Sequence, residues 1–215
     1  MQPLLIQWFL LKSGFNPGPI DNVIGPLTRA AIRAFQNERG LFETGTVTTA
    51  VTELFNQEMR PDSWPSWLHH ALSYLGVEEV AGTANNPTIM EWAKELGIDY
   101  DGDWVAWCGL FVAAMLRKGS QEIDLPDNIL GARNYLKVGR EIEKNHIRFG
   151  DLVIFWRKSK SSWEGHVGFY MGHVGKWIIM LGGNQSQSVS IALYDSERIL
   201  GIRRPTGSES TTLNL

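Results

Sequence analysis

The sequence predicts two domains, a small all-α three-helix bundle followed by an α+β domain built on an antiparallel sheet. Residues 1–58 carry three helical stretches separated by Gly and Pro punctuation. Residues 59–66 hold Pro61 and Pro65 with no periodicity and read as a linker. From residue 67 to residue 205, helical segments give way to short runs rich in β-branched and aromatic residues, the pattern of helices packed on an antiparallel sheet.

In the first domain a helix from Pro3 to Lys12 stops at Ser13-Gly14 and reads as amphipathic. Gly25-Pro26 opens the second helix, because proline suits the first helical turn. Leu27, Ala31, Ala34 and Phe35 recur at helical spacing on its expected inner side, and Gly40 ends it. A third helix, Val47 to Phe55, supplies Val47, Val51, Leu54 and Phe55 to the same core. In the second domain the order is a helix from Trp67, a loop, a helix opened by Cys108, and a connecting region. Strands follow over 151–156, 166–171, 177–181 and 189–193. Residues 206–215 are small and polar and read as a flexible tail.

Composition removes several classes of function. A net charge of −3, with no local run of Lys or Arg, leaves no footprint for nucleic acid. The single cysteine makes an intrachain disulfide impossible. No stretch has the apolar length that spans a bilayer, so no membrane partner is expected. The apolar N-terminus lacks a basic segment and a small-residue cleavage site, so no signal peptide is expected. A monomer is expected.

Cys108 lies where the polar stretch Asp99 to Trp104 gives way to the apolar run Cys108 to Leu116. A helix N-terminus offers unpaired N–H groups and partial positive charge, which favour thiolate over thiol. Free cysteine is more often a buried small hydrophobe. Against that reading stand the polar flank, Gly109 leaving the backbone beside sulfur open to a substrate, and a histidine, His166, starting a strand downstream. A thiol, an imidazole and an amide from Gly182-Gly183-Asn184-Gln185, in that order, suggest acyl transfer at an amide bond. If residues 172–176 form an odd-length hairpin loop, His166 faces Gly182 and has Asn184 as its same-face diagonal neighbour; an even-length loop brings Gln185 round instead. Gly168 leaves open space beside the ring in this reading. His69, His70, His146 and His173 have no spacing resembling a zinc site.

Pro17-Gly18-Pro19-Ile20-Asp21, Gly25-Pro26-Leu27-Thr28, Ala31, Phe35-Gln36, Gly40-Leu41 and Gly45 resemble the three-helix peptidoglycan-binding domain found beside many cell-wall hydrolases. Asn22 departs from the glycine usual there, and asparagine tolerates the left-handed turn. The resemblance implies bacterial peptidoglycan as partner, bound near Asp21, Gly25 and Thr28.

Trp107-Cys108-Gly109-Leu110-Phe111-Val112, Phe149-Gly150-Asp151-Leu152-Val153-Ile154-Phe155-Trp156, Gly165-His166-Val167-Gly168 and Gly182-Gly183-Asn184-Gln185-Ser186 resemble the CHAP and NlpC-like cysteine peptidases and amidases of cell walls. The segment Gly76 to Ile89 is similar to the opening segment of one phage-rich subfamily. The resemblance implies a papain-like domain with Cys108 as nucleophile, His166 as base and Asn184 as orienting residue, with no cofactor and no metal. Asp99, Asp101 and Asp103 alternate as calcium ligands do in some CHAP enzymes, but Leu110 stands where those add another carboxylate. A solvated acidic loop is therefore expected there. Trp104, Trp107 and Trp163 are expected to wall a substrate groove, whereas Trp156 and Trp177 are expected to fill the core.

A wall-binding module ahead of a wall-cutting one resembles a phage endolysin held in the host cytoplasm until released to the wall. The rivals are a secreted effector or toxin amidase and a non-catalytic wall binder, and both amidase and endopeptidase activity fit the motif.

Overall fold

The computed structural model describes residues 3–21, 23–59, 63–82 and 84–206. Asn22 and the tail from residue 207 lie outside these described residues. The chain divides into two compact units, Met1–Ser63 and Trp64–Leu215. Among the described residues no helix is long and apolar enough to cross a membrane.

The first unit contains α1 (Pro3–Lys12), α2 (Pro26–Glu38) and α3 (Thr49–Met59). Expected to be amphipathic, α1 instead buries Leu4, Ile6, Gln7, Trp8, Phe9 and Leu10, which occupy most of its circumference. Phe9 meets Phe35 and Phe55 edge-on, with ring centroids 5.1 and 4.8 Å apart. The inner face of α2 is rotated from the expected one: Thr28, Ala31, Ile32, Phe35 and Gln36 are buried, while Leu27 and Ala34 are exposed. Thr48, whose hydroxyl accepts from the Val51 N–H at 3.3 Å, caps α3, so that helix starts after Val47.

Two buried glutamines hold the loops of this unit. Gln7 Nε2 donates to Pro19 O at 2.8 Å, Asp21 Oδ1 at 2.9 Å and Val23 O at 3.0 Å. Gln36 Nε2 donates to Thr44 Oγ1 and Thr46 O, and its Oε1 accepts from Gly45 N. Buried polar atoms without such partners are destabilising, so each side chain fixes its loop by the need for satisfaction.

The second unit begins with Trp64, which stacks on Phe149 at 5.6 Å, and with α4 (Ser66–Ser73). Part of the segment expected as linker is therefore packed into this unit. Asn86, whose side chain accepts from Thr88 N, opens α5 (Pro87–Glu95), and α6 (Cys108–Gly119) follows. A six-stranded antiparallel sheet comes next, β1 (Arg140–Glu141), β2 (Leu152–Trp156), β3 (Gly165–Val174), β4 (Trp177–Gln185), β5 (Ser188–Asp195) and β6 (Ile199–Arg204), in the order β1-β6-β2-β3-β4-β5.

Close packing of α6 on the sheet fixes where its N-terminus lies. Phe111 meets Phe169 of β3 edge-on at 6.1 Å. A Cβ at Gly183 of β4 would stand 2.5 Å from Phe111 Cβ and 2.6 Å from the Trp107 ring, so only glycine allows this approach. A second cluster of Val153, Phe155, Tyr170, Ile178, Met180 and Ile202 completes the core. Trp177, expected inside, is 42% exposed with the Lys176 ammonium 4.9 Å from its ring centroid, because it sits at the hairpin turn.

Asp151, at the start of β2, ties this strand to β6. Its two carboxylate oxygens accept from Arg204 Nε at 2.8 Å and Arg204 Nη2 at 2.7 Å, and Oδ2 also accepts from Arg148 N. The carboxylate is 3% exposed. Removing one partner of a buried pair leaves the other charge uncompensated, so Asp151→Ala is expected to lower stability by about 3 kcal/mol. Urea unfolding of the two proteins checks this.

Candidate active site

Cys108 is the first residue of α6, and Trp107 caps the helix without a side-chain hydrogen bond. The backbone N–H of Val167, the residue that follows His166 in β3, stands beside the Cys108 sulfur and favours its thiolate. The side chain is 5% exposed. Burial pushes the thiol pKa up; the Val167 amide, the charge of Arg157 and the amides of Gly109 and Cys108 pull it down without overcoming burial. The expected thiolate at a helix N-terminus is thus a thiol at rest, because desolvation outweighs the helix end.

His166 is fully buried and its imidazole is contacted on three sides. Nε2 lies 3.2 Å from Gln185 Oε1, Nδ1 lies 3.4 Å from Arg157 Nη2, and Tyr194 stacks on the ring with centroids 5.0 Å apart. Gln185 Nε2 donates to Ser190 O, which turns Oε1 toward the imidazole. An amide oxygen only accepts and a guanidinium only donates, so the proton resides on Nε2 and the lone pair on Nδ1. Burial, then the charge of Arg157, lower the His166 pKa to about 3, with the Gln185 bond opposing.

The amide at the histidine is therefore Gln185, and Asn184 is not brought to it. The β3–β4 hairpin turns through two residues, with Val174 opposite Trp177, and a bulge at Met171 shifts the pairing to Tyr170 opposite Met180. The turn is even in length, but the bulge restores the parity of an odd one, which by itself would place Asn184 at the histidine. Asn184 has φ +54°, in the left-handed region, and the β4–β5 register shifts between Gly182 and Gln185. A left-handed residue interrupts strand alternation, and the next side chain changes face. Gly182 does lie against the imidazole: a Cβ there would be 3.3 Å from His166 Nε2.

Residues 3–54 match the family model described as "Putative peptidoglycan binding domain". The match is to a wall-binding module. A protein of Nostoc punctiforme (strain ATCC 29133 / PCC 73102), named "Putative OxPP cycle protein OpcA", is 39% identical over 57 residues, which are 26% of this chain and 12% of that protein. The chain thus spans about an eighth of that relative's length. Among solved structures, an NlpC/P60 family protein from Bacillus cereus ATCC 10987 is similar at 18% identity and TM-score 0.39, over 65% of this chain and 39% of that one. The P60 domain of an M. avium paratuberculosis antigen is similar at 19% identity and TM-score 0.37, over 72% of this chain and 98% of that one.

Several expected contacts are replaced by packing. Gly109 does not open the sulfur to solvent: a Cβ there would meet Ile129 O at 2.1 Å, and Tyr135 OH donates to Gly109 O at 2.6 Å. Gly168 has no open space beside it either, since its Cβ would meet Leu181 O at 2.8 Å. Trp107 is fully buried, its indole donating to Glu79 Oε1 at 2.7 Å, and cannot wall a groove. Trp104 and Trp163 are 60% and 85% exposed. Trp156 is half-buried beneath the Arg198 guanidinium, 4.7 Å from its ring centroid.

Asp103 does not project into solvent: its Oδ2 accepts from Val80 N at 3.0 Å and Asn86 N at 2.7 Å. That carboxylate organises the loop ahead of α5, whereas Asp99 and Asp101 are exposed in the solvated manner expected. In the first unit Thr28 is buried and its hydroxyl donates to Pro17 O at 2.9 Å, so it is a loop fastener and not a ligand contact. Asp21 is exposed, with its pKa lowered by the Gln7 side chain and then the Val23 amide. Gly25 precedes α2 with open space around its α-carbon.

A buried neutral histidine makes stability depend on pH. Below about pH 6.5 the unfolded chain takes up a proton at His166 that the folded chain refuses until about pH 3, so stability falls as pH falls through that window. The limiting slope is about 1.4 kcal/mol per pH unit. Urea midpoints between pH 7 and pH 5 are expected to decline more steeply for the wild type than for His166→Gln.

Proposed function

We propose that the chain is a peptidoglycan hydrolase that cleaves an amide bond of the wall peptide, with Cys108 as nucleophile, His166 as base and Gln185 as the residue that orients it. The observation that carries this reading is one local arrangement. The sole thiol lies beside the amide that follows a buried imidazole, and Gln185 holds that imidazole as the Nε2–H tautomer.

His166 Nδ1 takes the proton from Cys108 Sγ as sulfur attacks the amide carbonyl carbon. The backbone N–H of Cys108 stabilises the oxyanion that forms. Collapse breaks the C–N bond, the departing amine takes the proton from Nδ1, and a thioester remains. Water, losing a proton to Nδ1, attacks the thioester; the acid leaves and Cys108 recovers its proton. Gln185 keeps the ring oriented and its Nε2 proton bonded throughout, the part that an orienting group plays in a triad.

The N-terminal module supports the choice of substrate. Tethering a wall-binding unit to the catalytic one raises the effective concentration of substrate at the thiol. Trp104, four residues before Cys108, and Trp163, three before His166, supply exposed aromatic surface for that substrate. Lysis of a host cell, the endolysin role, is the setting that this pairing suits.

The test is stoichiometric. Alkylation of Cys108 by iodoacetamide, followed by intact mass, is expected to abolish release of peptide from purified peptidoglycan in proportion to the fraction modified. Full activity at complete modification would reject the cysteine mechanism.

A further inference from the structure

The rim of the site is cationic although the whole chain carries a net charge of −3. The loop after β2 reads Arg157-Lys158-Ser159-Lys160-Ser161-Ser162-Trp163-Glu164, and its one carboxylate is bonded to Lys158 at 2.7 Å. Arg133 fastens this loop by donating to Glu164 O at 3.0 Å, Lys160 O at 2.9 Å and Ser159 O at 3.1 Å. Arg157 is different. The residue is exposed overall, its guanidinium reaches neutral groups of the site, His166 Nδ1 and the Tyr194 side chain, and no carboxylate pairs with it among the described residues. It also occupies the lone pair that must receive the Cys108 proton.

We propose that Arg157 is a specificity-determining residue: it binds a free carboxylate that the substrate carries beside the scissile amide, and in moving onto that carboxylate it releases His166 Nδ1 to accept the Cys108 proton. This rests on the hydrolase reading above. A guanidinium forms two parallel bonds to a carboxylate, against one long bond to a ring nitrogen, so the anion is the better partner. Free enzyme therefore has its base occupied, and an anionic peptide frees it. The arginine stays beside the thiol, where its charge favours the thiolate during attack. A neutral peptide of the same shape gains neither the bond nor the release.

The test uses the full chain and two alkylating reagents of similar size, anionic iodoacetate and neutral iodoacetamide, with modification of Cys108 followed by intact mass. The ratio of the two rates cancels changes in thiolate fraction and in access to sulfur. Arg157→Gln is expected to lower the iodoacetate-to-iodoacetamide ratio about tenfold, and Arg157→Lys to retain most of it, since a nearby cation concentrates the anionic reagent. A ratio unchanged within twofold in Arg157→Gln would overturn the proposal. This readout needs no wall substrate, so it stands apart from the hydrolase reading. In a second arm, wild type is expected to cleave a wall peptide with a free carboxylate next to the scissile amide at least tenfold better, in kcat/KM, than its amidated counterpart, and Arg157→Gln to lose that preference. Equal cleavage of the two peptides by wild type would also overturn it.

Discussion

Cys108→Ala is expected to lower hydrolysis of purified peptidoglycan by a factor on the order of a thousand or more, because the remaining groups cannot form the thioester. The substitution removes one buried sulfur atom, so the fold should survive. A melting temperature within a few degrees of wild type, alongside lost hydrolysis, separates loss of chemistry from loss of structure. The unit Met1–Ser63, which matches the peptidoglycan-binding family model, holds none of Cys108, His166, Gln185 and Arg157, so any sedimentation of the wild type with peptidoglycan is expected to persist in Cys108→Ala. Hydrolysis at near-normal rates would remove the thiol from the mechanism.

His166→Ala is expected to be as damaging, since the thiol is protonated at rest and the proposed mechanism gives it His166 as its base. The decisive comparison lies at the two amides. Gln185→Ala removes the acceptor for Nε2–H and is expected to reduce the rate by about ten- to a hundredfold, less than loss of the base itself. Asn184→Gly keeps a residue suited to φ +54° and is expected to leave the rate within about twofold. Rates measured on one peptidoglycan preparation check both. Greater harm from Asn184→Gly than from Gln185→Ala would mean that the side chain at 184, and not at 185, serves the imidazole.

That comparison marks how far the sequence could be read. The cysteine at a polar-to-apolar junction, the histidine opening a strand and the amide pair after Gly182-Gly183 were all legible, because each follows from local pattern. Choice between the amides was not, since a bulge at Met171 and a left-handed Asn184 decide it and neither leaves a periodic trace. Arg157 was missed although a signal existed. Phe155 pairs with His166 in β2–β3, so Arg157 continues the same face and is the diagonal neighbour of the histidine. Strand β6 was missed because Ile199 to Arg204 alternates weakly and ends on two arginines, one of which serves the buried Asp151. Trp107 and Thr28 have residue types common in binding sites, but burial, which only tertiary packing fixes, makes them structural. Gly109 and Gly168 were read as open space and are instead places of close approach, each admitting a backbone carbonyl.

The central claim is that the protein cuts an amide of the wall peptide through Cys108. Mass spectrometry of the fragments released from purified peptidoglycan by wild type and by Cys108→Ala tests it most directly. Wild type is expected to yield fragments with one new amine and one new carboxyl group per cut, either at the junction of sugar and peptide or within the peptides, with glycan chains uncut and with no such fragments from Cys108→Ala. New reducing sugar ends on intact peptides, or the same amide fragments from Cys108→Ala, would contradict the account.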